Sequence, residues 1–329
     1  MVHLGIVLPC YNEEAILPDT VQVLMAHFDS WIKANKITPN SVVCFVDDGS
    51  RDGTWALIEQ FSEQYSAVEG IKLSTNFGHQ NALVAGMLEN RDRFDCLITM
   101  DADLQDDVQI IEQMLDKYTD GNVIVYALRN DRETDSWFKR FTATAFYRLM
   151  SALNVRTFYN HADFRLLDNR VLHVLAEYRE VHLFLRGLFP IMGFKSDVVY
   201  FKRLARTKGE TKYPLRKMLG FAWNGITSFS AYPMKLILGI GFLTFLLSAG
   251  IGFWALFAFF TGKTVPGWTS IVVPIFLFGG LQMVALGIIG EYIGKIYMEV
   301  KARPRYLVDE HIARSQNNEE SKGEGGKRR

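Results

Sequence analysis

An alternation repeated through the first half of this chain restricts its fold more than any other feature. Short continuous runs of branched apolar residues, LGIVL (4–8), VVCFV (42–46), GIKL (70–73), CLITM (96–100) and VIVYA (123–127), are separated by segments of helical periodicity. Uninterrupted apolar runs of this length are what strands buried on both faces of a parallel sheet require. Between the first two, Leu17, Val21, Leu24, Phe28 and Trp31 recur at three- and four-residue spacing, the apolar face of an amphipathic helix. Trp55–Tyr65, Asn81–Asn90 and Gln109–Tyr118 repeat that spacing. The pattern predicts an α/β domain with a mostly parallel sheet, whose ligands gather at the carboxyl ends of the strands. Further on, the sequence predicts a helix over Phe138–Leu153 and an irregular stretch around Asn160–Asp168. Helices are expected over Val171–Glu177 and His182–Phe189, then a late strand at Ser196–Phe201.

The second half reads differently. Residues 202–217, KRLARTKGETKYPLRK, carry seven basic residues and one acidic, and an aromatic stretch (220–233) follows. Residues 234–294 are almost free of charge. Within them Leu236–Phe260 and Ile271–Tyr292 each exceed the about 20 residues needed to span a bilayer. Lys and Arg flank the pair: Arg216, Lys217 and Lys235 before it, Lys295, Lys301, Arg303 and Arg305 after it. The expectation is a transmembrane hairpin with both flanks cytosolic, in a multi-pass protein of the cell membrane. The domains are then a cytosolic 1–233, the hairpin 234–294, and a cytosolic basic segment with a disordered polar tail over 295–329. The formal net charge of zero hides this segregation. Cys10, Cys44 and Cys96 sit in or beside strand-like runs with neither disulfide nor zinc spacing, which predicts buried free thiols. No secretory signal is expected, because the N-terminus enters a strand directly at Leu4.

Chemistry concentrates where three of the strands end. The first runs into Pro9-Cys10-Tyr11-Asn12-Glu13-Glu14, the second into Asp47-Asp48-Gly49-Ser50-Arg51-Asp52-Gly53-Thr54, the fourth into Asp101-Ala102-Asp103-Leu104-Gln105-Asp106. Any one of these is ordinary turn and cap chemistry. On one edge of one sheet they make a polar, acidic site. The first turn lacks G-x-G-x-x-G and the chain has no G-x-x-x-x-G-K-[ST], which argues against a dinucleotide dehydrogenase and a P-loop NTPase. Carboxylates after a strand suit a hard divalent cation that bridges to substrate phosphates.

These residues resemble the family-2 glycosyltransferases, in particular the branch acting on dolichyl and undecaprenyl phosphate. The resemblance is carried by PCYNEE (9–14), VDDGSRDGT (46–54), NFGHQNALVAG (76–86), MDADLQ (100–105), ADFRLLD (162–168), FLRGL (184–188), RTKGETKY (206–213) and EYIGKIYMEVKARPRY (291–306). It implies a GT-A-like nucleotide-diphospho-sugar transferase domain that moves a hexose, such as glucose or N-acetylglucosamine, from a UDP-sugar to polyprenyl phosphate with inversion. It further implies a role in cell-envelope glycan modification, a Mg²⁺ or Mn²⁺ cofactor, a homo-oligomer up to a tetramer, and no nucleic-acid partner. By the same resemblance Pro9, Tyr11, Glu13, Val46, Asp48, Asp101, Ala102, Asp103, Gln105 and Arg129 hold the nucleotide-sugar, with Asp101, Asp103 and Gln105 about the metal. Lys139, Arg140, Arg206 and Lys212 surround the donor diphosphate and acceptor phosphate, and Asp163 and Asp103 are the catalytic carboxylates.

The chain departs from the family pattern at Ala162, where Gly is common, and at Asp107-Val108, where Pro-Pro is common. A phosphate-monoester oxygen is already anionic near neutral pH, so Asp163 stands open between general base and positioning group. The basic stretch 202–217 has a rival reading as an anchor for anionic headgroups. His79 and His161 lie near motifs and receive no role. Two further readings stand beside the leading one. A processive polysaccharide synthase is opposed by the absence of an Arg-Trp dipeptide and by only two apolar spans. A non-catalytic nucleotide-binding scaffold is opposed by the intact acidic set.

Overall fold

The computed structural model describes residues 1–129, 161–180, 185–201 and 268–313, with scattered positions between 234 and 261. Its centre is an eight-stranded sheet. The strands are β1 (Leu4–Cys10), β2 (Val42–Asp47), β3 (Val68–Leu73), β4 (Cys96–Thr99), β5 (Ile124–Arg129), β6 (His161–Asp168), β7 (Ser196–Phe201) and β8 (Val308–Ile312). They lie in the order β7-β5-β6-β4-β1-β2-β3-β8. The helices are α1 (Leu17–Lys33), α2 (Thr54–Gln64), α3 (His79–Glu89), α4 (Ile110–Thr119), α5 (Asn169–Glu177), α6 (Leu185–Ile191) and α7 (Trp268–Lys301).

β1 pairs in parallel with β2 on one side and β4 on the other, with Cys10 opposite Asp47 and Val7 opposite Thr99. The three acidic strand ends therefore do share one edge. β3 and β7 extend the parallel arrangement on β2 and β5. β6 runs antiparallel to both β4 and β5, and β8 antiparallel to β3, so the sheet is mixed and all strands but β6 and β8 point one way. The expected irregular stretch around Asn160–Asp168 is instead β6, a strand in the middle of the sheet. That reversal brings the start of β6, and with it Asp163, to the edge where its neighbours end.

Alternation along the strands feeds two cores, one on each face of the sheet. Ile6 and Leu8 of β1 join Leu24, Phe28 and Trp31 of α1 and Met114 of α4 on one face. Val7 and Val46 meet Ala82, Leu83 and Val84 of α3 and Leu172 of α5 on the other. Cys10, Cys44 and Cys96 are buried and free, and burial pushes the Cys44 thiol up to about 12. β8 covers the outer edge of β3, secured by a Lys72–Glu310 ion pair and by Ser74 N–H donating to Leu307 O at 3.0 Å. Pairing of this kind removes an exposed row of backbone donors and acceptors.

Among the described residues no helix is long and apolar enough to cross a membrane. This finding overturns the expected transmembrane hairpin and the multi-pass cell-membrane placement built on it. The second apolar run does not stop at Tyr292 but continues in α7, whose final turns carry Glu291, Lys295, Glu299 and Lys301. Along α7, Ile271, Ile275, Met283, Ile293, Ile296 and Val300 are exposed. The helix expected over Phe138–Leu153, the basic stretch 202–217 and the polar tail lie outside the described residues.

The closest packing at the heart of the domain is at Gly86 of α3, where an added Cβ would lie 2.3 Å from Val7 Cγ1 and 2.8 Å from Val46 Cγ2. Both neighbours are held in a dense two-sided sheet. Gly86→Ala should therefore cost about 1–3 kcal/mol through overpacking, read as a lowered urea midpoint with an unchanged slope.

Candidate active site

The site is built by two loops that hold each other. Asn12, at φ 56, donates its N–H to Ser50 Oγ (2.9 Å), and its Oδ1 accepts from Arg51 N–H at 2.8 Å. Glu13 N–H donates to Thr54 Oγ1 (2.9 Å), and Gly53 N–H donates to Glu14 Oε2 (2.9 Å). Asp52 caps α2 by accepting from Thr54 N–H at 3.1 Å. Asn12, Glu14, Asp52 and Thr54 thus make the loops after β1 and β2 one body. Tyr11 is 42% exposed at its surface.

Asp48 extends this body to a third loop. It is buried, and Oδ1 accepts from Phe77 N–H at 2.7 Å while Oδ2 accepts from Gly78 N–H at 3.0 Å. Burial raises its carboxyl above the ordinary range against the opposing pull of those two amides. Gly49, at φ +68, lets the loops close: a Cβ there would lie 2.5 Å from Thr75 C and 2.7 Å from Asn76 N. Gly78 sits at φ +90 in open space, so its requirement is conformational and not steric. Immediately after it, His79 begins α3.

Beyond β4 the chain turns through Leu104 at φ 52, and Asp103 Oδ1 accepts from Gln105 N–H at 3.2 Å. Thr20 Oγ1 of α1 donates to Ala102 O at 2.8 Å, fixing the turn from below. Asp101 keeps a third of its side chain exposed. Gln105 is 3% exposed. Among the described residues no cluster of three His, Cys, Asp or Glu side chains stands ready for a metal.

Asp163 is the most heavily engaged acid of the site. Arg165 Nη2 donates to its Oδ1, and Arg186 Nη2 of α6 donates to its Oδ2 at 2.8 Å. His79 Nε2 lies 3.6 Å from Asp163 Oδ2 and also 3.6 Å from Asp101 Oδ1. Thr99 Oγ1 donates to Asp163 O at 2.7 Å, tying β6 to the end of β4. Burial alone would push the Asp163 carboxyl up, but His79, Arg165 and Arg186 outweigh it and hold it well below the ordinary carboxylate range. Burial likewise opposes protonation of His79, yet Asp163 and Asp101 raise it above the usual imidazole value. Arg165 is fully buried and stacks on Phe189, 4.9 Å from the ring centroid, while its Nε and Nη1 find no hydrogen-bond partner among the described residues.

The structure therefore brings Asp101, Asp103 and Asp163 to one edge, with Tyr11 and Glu13 on the adjoining loop. Pro9, Val46 and Ala102 are buried beneath it; Val46 packs on α3 and Asp48 acts through the Phe77–Gly78 amides. Arg129 ends β5 opposite Phe201 at that same edge. Lys139, Arg140, Arg206 and Lys212 lie outside the described residues. Sequence reasoning gave no role to His79, Arg165 or Arg186, although NFGHQNALVAG, ADFRLLD and FLRGL contain them.

Breaking this arrangement has a cost separate from chemistry. Asp163→Asn leaves the buried Arg165 charge without its counter-charge, a loss of about 3–5 kcal/mol. Because the folded carboxyl titrates below its unfolded value, its stabilisation is complete above the ordinary carboxylate range and fades only as pH falls below it. Urea midpoints of wild type and Asp163→Asn should differ equally at pH 7 and pH 5 and converge only below about pH 4.

The sequence profile described as Glycosyl transferase family 2 matches residues 5–176. The glycosyltransferase YkoT of Bacillus subtilis (strain 168) is 49% identical over 306 residues, 93% of this chain and 91% of its own. A bactoprenol glucosyl transferase of Shigella phage SfX is 33% identical over 310 residues, 93% of this chain and 99% of its own. A prophage bactoprenol glucosyl transferase homolog of Escherichia coli (strain K12) is 33% identical over 309 residues, covering 93% and 98%.

Proposed function

Because the chain belongs to glycosyl transferase family 2, we propose that this glycosyltransferase moves a hexose from a UDP-sugar onto polyprenyl phosphate with inversion. The acceptor class is that named for the bactoprenol glucosyl transferases, relatives that match along nearly their whole length. The observation that carries the reading is the meeting of Asp101 and Asp103 with Asp163 at one sheet edge, with His79 between Asp101 and Asp163.

In this reaction an acceptor phosphate oxygen forms a bond to the anomeric carbon as the bond from that carbon to the nucleoside diphosphate breaks. The nucleophile arrives ionised, so no proton has to be removed. Asp163 suits such a step as a positioning group: two guanidiniums and an imidazole stabilise its ionised form and weaken it as a proton acceptor. Arg186, whose side chain is 37% exposed, presents positive charge where phosphates approach.

Asp101 and Asp103 offer the hard oxygen donors that Mg²⁺ or Mn²⁺ accepts in pairs, leaving the other positions to substrate phosphate and water. When bound, such an ion neutralises charge developing on the leaving diphosphate. Arg129 at the end of β5 and Phe201 at the end of β7 share the same edge, from which the stretch bearing Arg206 and Lys212 departs. Those two residues are assigned to the acceptor phosphate, and Lys139 and Arg140 to the same basic group.

Incubating the purified full-length chain with radiolabelled UDP-sugars and undecaprenyl phosphate should yield labelled lipid in a divalent-cation-dependent manner. Asp103→Asn should abolish that transfer without moving the urea midpoint by more than about 0.5 kcal/mol equivalent. Full turnover in excess chelator would overturn the metal assignment. Arg206→Ala and Lys212→Ala should raise the KM for undecaprenyl phosphate at least about tenfold, the scale of a lost charge-assisted contact. Donor affinity should hold. Equal small effects at Lys202 and Arg203 would show a surface anchor instead.

A further inference from the structure

His79 received no role from the sequence, yet it stands at the junction of two chains of contact. On one side, both carboxylate oxygens of Asp48 grip the Phe77 and Gly78 amides, and Gly78 at φ +90 sets where the next residue can point. On the other, His79 Nε2 is 3.6 Å from both Asp101 Oδ1, at the end of β4, and Asp163 Oδ2, on β6. The imidazole is about half exposed at this edge. At 3.6 Å neither contact is a formed hydrogen bond. A movement of a few tenths of an ångström commits the N–H to one carboxylate or the other.

We propose that His79 is a positioning residue that couples occupancy of the donor side of the site, at Asp101, to the set of donors that hold Asp163. With the donor side empty, Asp101 and Asp163 compete for one N–H. A donor diphosphate and cation held by Asp101 would occupy that carboxylate and leave the His79 N–H to Asp163. Asp163, already held by Arg165 and Arg186, thereby gains a third donor when a sugar is present to be attacked. The short path from Asp48 to His79 explains why an acidic residue of the second loop is buried under the third: it sets the pivot of the imidazole. The inference rests on the glycosyl-transfer reading and adds to it a residue that acts through another.

The test compares His79→Ala with His79→Gln, whose Nε2 reaches the same point on a similar arm, both as full-length protein. Positional coupling of this kind is worth on the order of 10²-fold in rate. His79→Ala should lower kcat by about that factor while the donor Kd, measured by calorimetry with UDP-sugar, stays within about threefold. His79→Gln should recover at least about tenfold of the lost kcat, because it restores a donor between the carboxylates. Three outcomes would overturn the inference: kcat for His79→Ala within about threefold of wild type, a donor Kd that weakens in step with kcat, or His79→Gln no better than His79→Ala. Absence of labelled lipid with the wild-type chain, across all UDP-sugars, would instead count against the transfer reading and leaves a different pattern from any of these.

Discussion

A buried carboxylate shared between two guanidiniums and an imidazole is the interaction on which this site depends. Asp163 neutralises Arg165, a fully buried cation that would otherwise stand uncompensated in the core, and it anchors Arg186 of α6 and His79 of α3. Each partner comes from a different part of the chain, so one ionised group fixes the relative placement of β6, α3 and α6. Buried ion pairs contribute little net stability when intact but a large loss when broken. They are therefore better regarded as devices for alignment. Alignment is what a transfer between two phosphate-bearing substrates requires, since the reacting atoms must meet against mutual charge repulsion.

The same logic runs through the three loops. Asn12, Glu14, Asp52 and Thr54 use their polar groups on one another, and Asp48 uses both oxygens on a backbone pair. Much of the polarity in PCYNEE and DDGSRDGT thus goes into rigidity. Tyr11, Glu13, Asp101 and Asp103 are left on the rigid frame. Acidic side chains that bind one another's amides cost little in desolvation, because each lost water contact is replaced. A site assembled in this way enters the reaction with its geometry already set.

What could be read from the sequence divides along physical lines. Strands β1, β2, β4 and β7 and helices α1 to α4 were legible because burial on two faces and on one face leaves distinct periodicities, and the gathering of three acidic ends followed from parallel pairing alone. β6 was not legible: HADFRLLD places charged residues among apolar ones, and Asp163 and Arg165 are buried only because they neutralise each other across two positions of one strand. β8, VDEHI, is polar and mostly exposed, and its strand character comes from the free edge of β3. The expected membrane hairpin rested on two long apolar runs with basic flanks, and neither feature says where a helix ends; α7 carries its apolar run on into Glu291–Lys301. His79 received no role because a single histidine has no periodic signal and its partners are far away in sequence.

The antiparallel course of β6 also explains why the carboxylates gathered at this edge come from such distant motifs. In a purely parallel sheet only carboxyl ends face the substrate edge, and residues there begin loops whose conformation follows loop length. A reversed strand presents its amino end at that edge, inside regular pairing. Thr99 opposite Arg165 fixes the register, so Asp163 lies just beyond the last residue of β4 and faces the Asp101 turn. Asp163 is therefore held by strand hydrogen bonds where Asp101 and Asp103 are held by a turn. His79 stands between the two, 3.6 Å from a carboxylate of each, which is the arrangement a coupling residue needs.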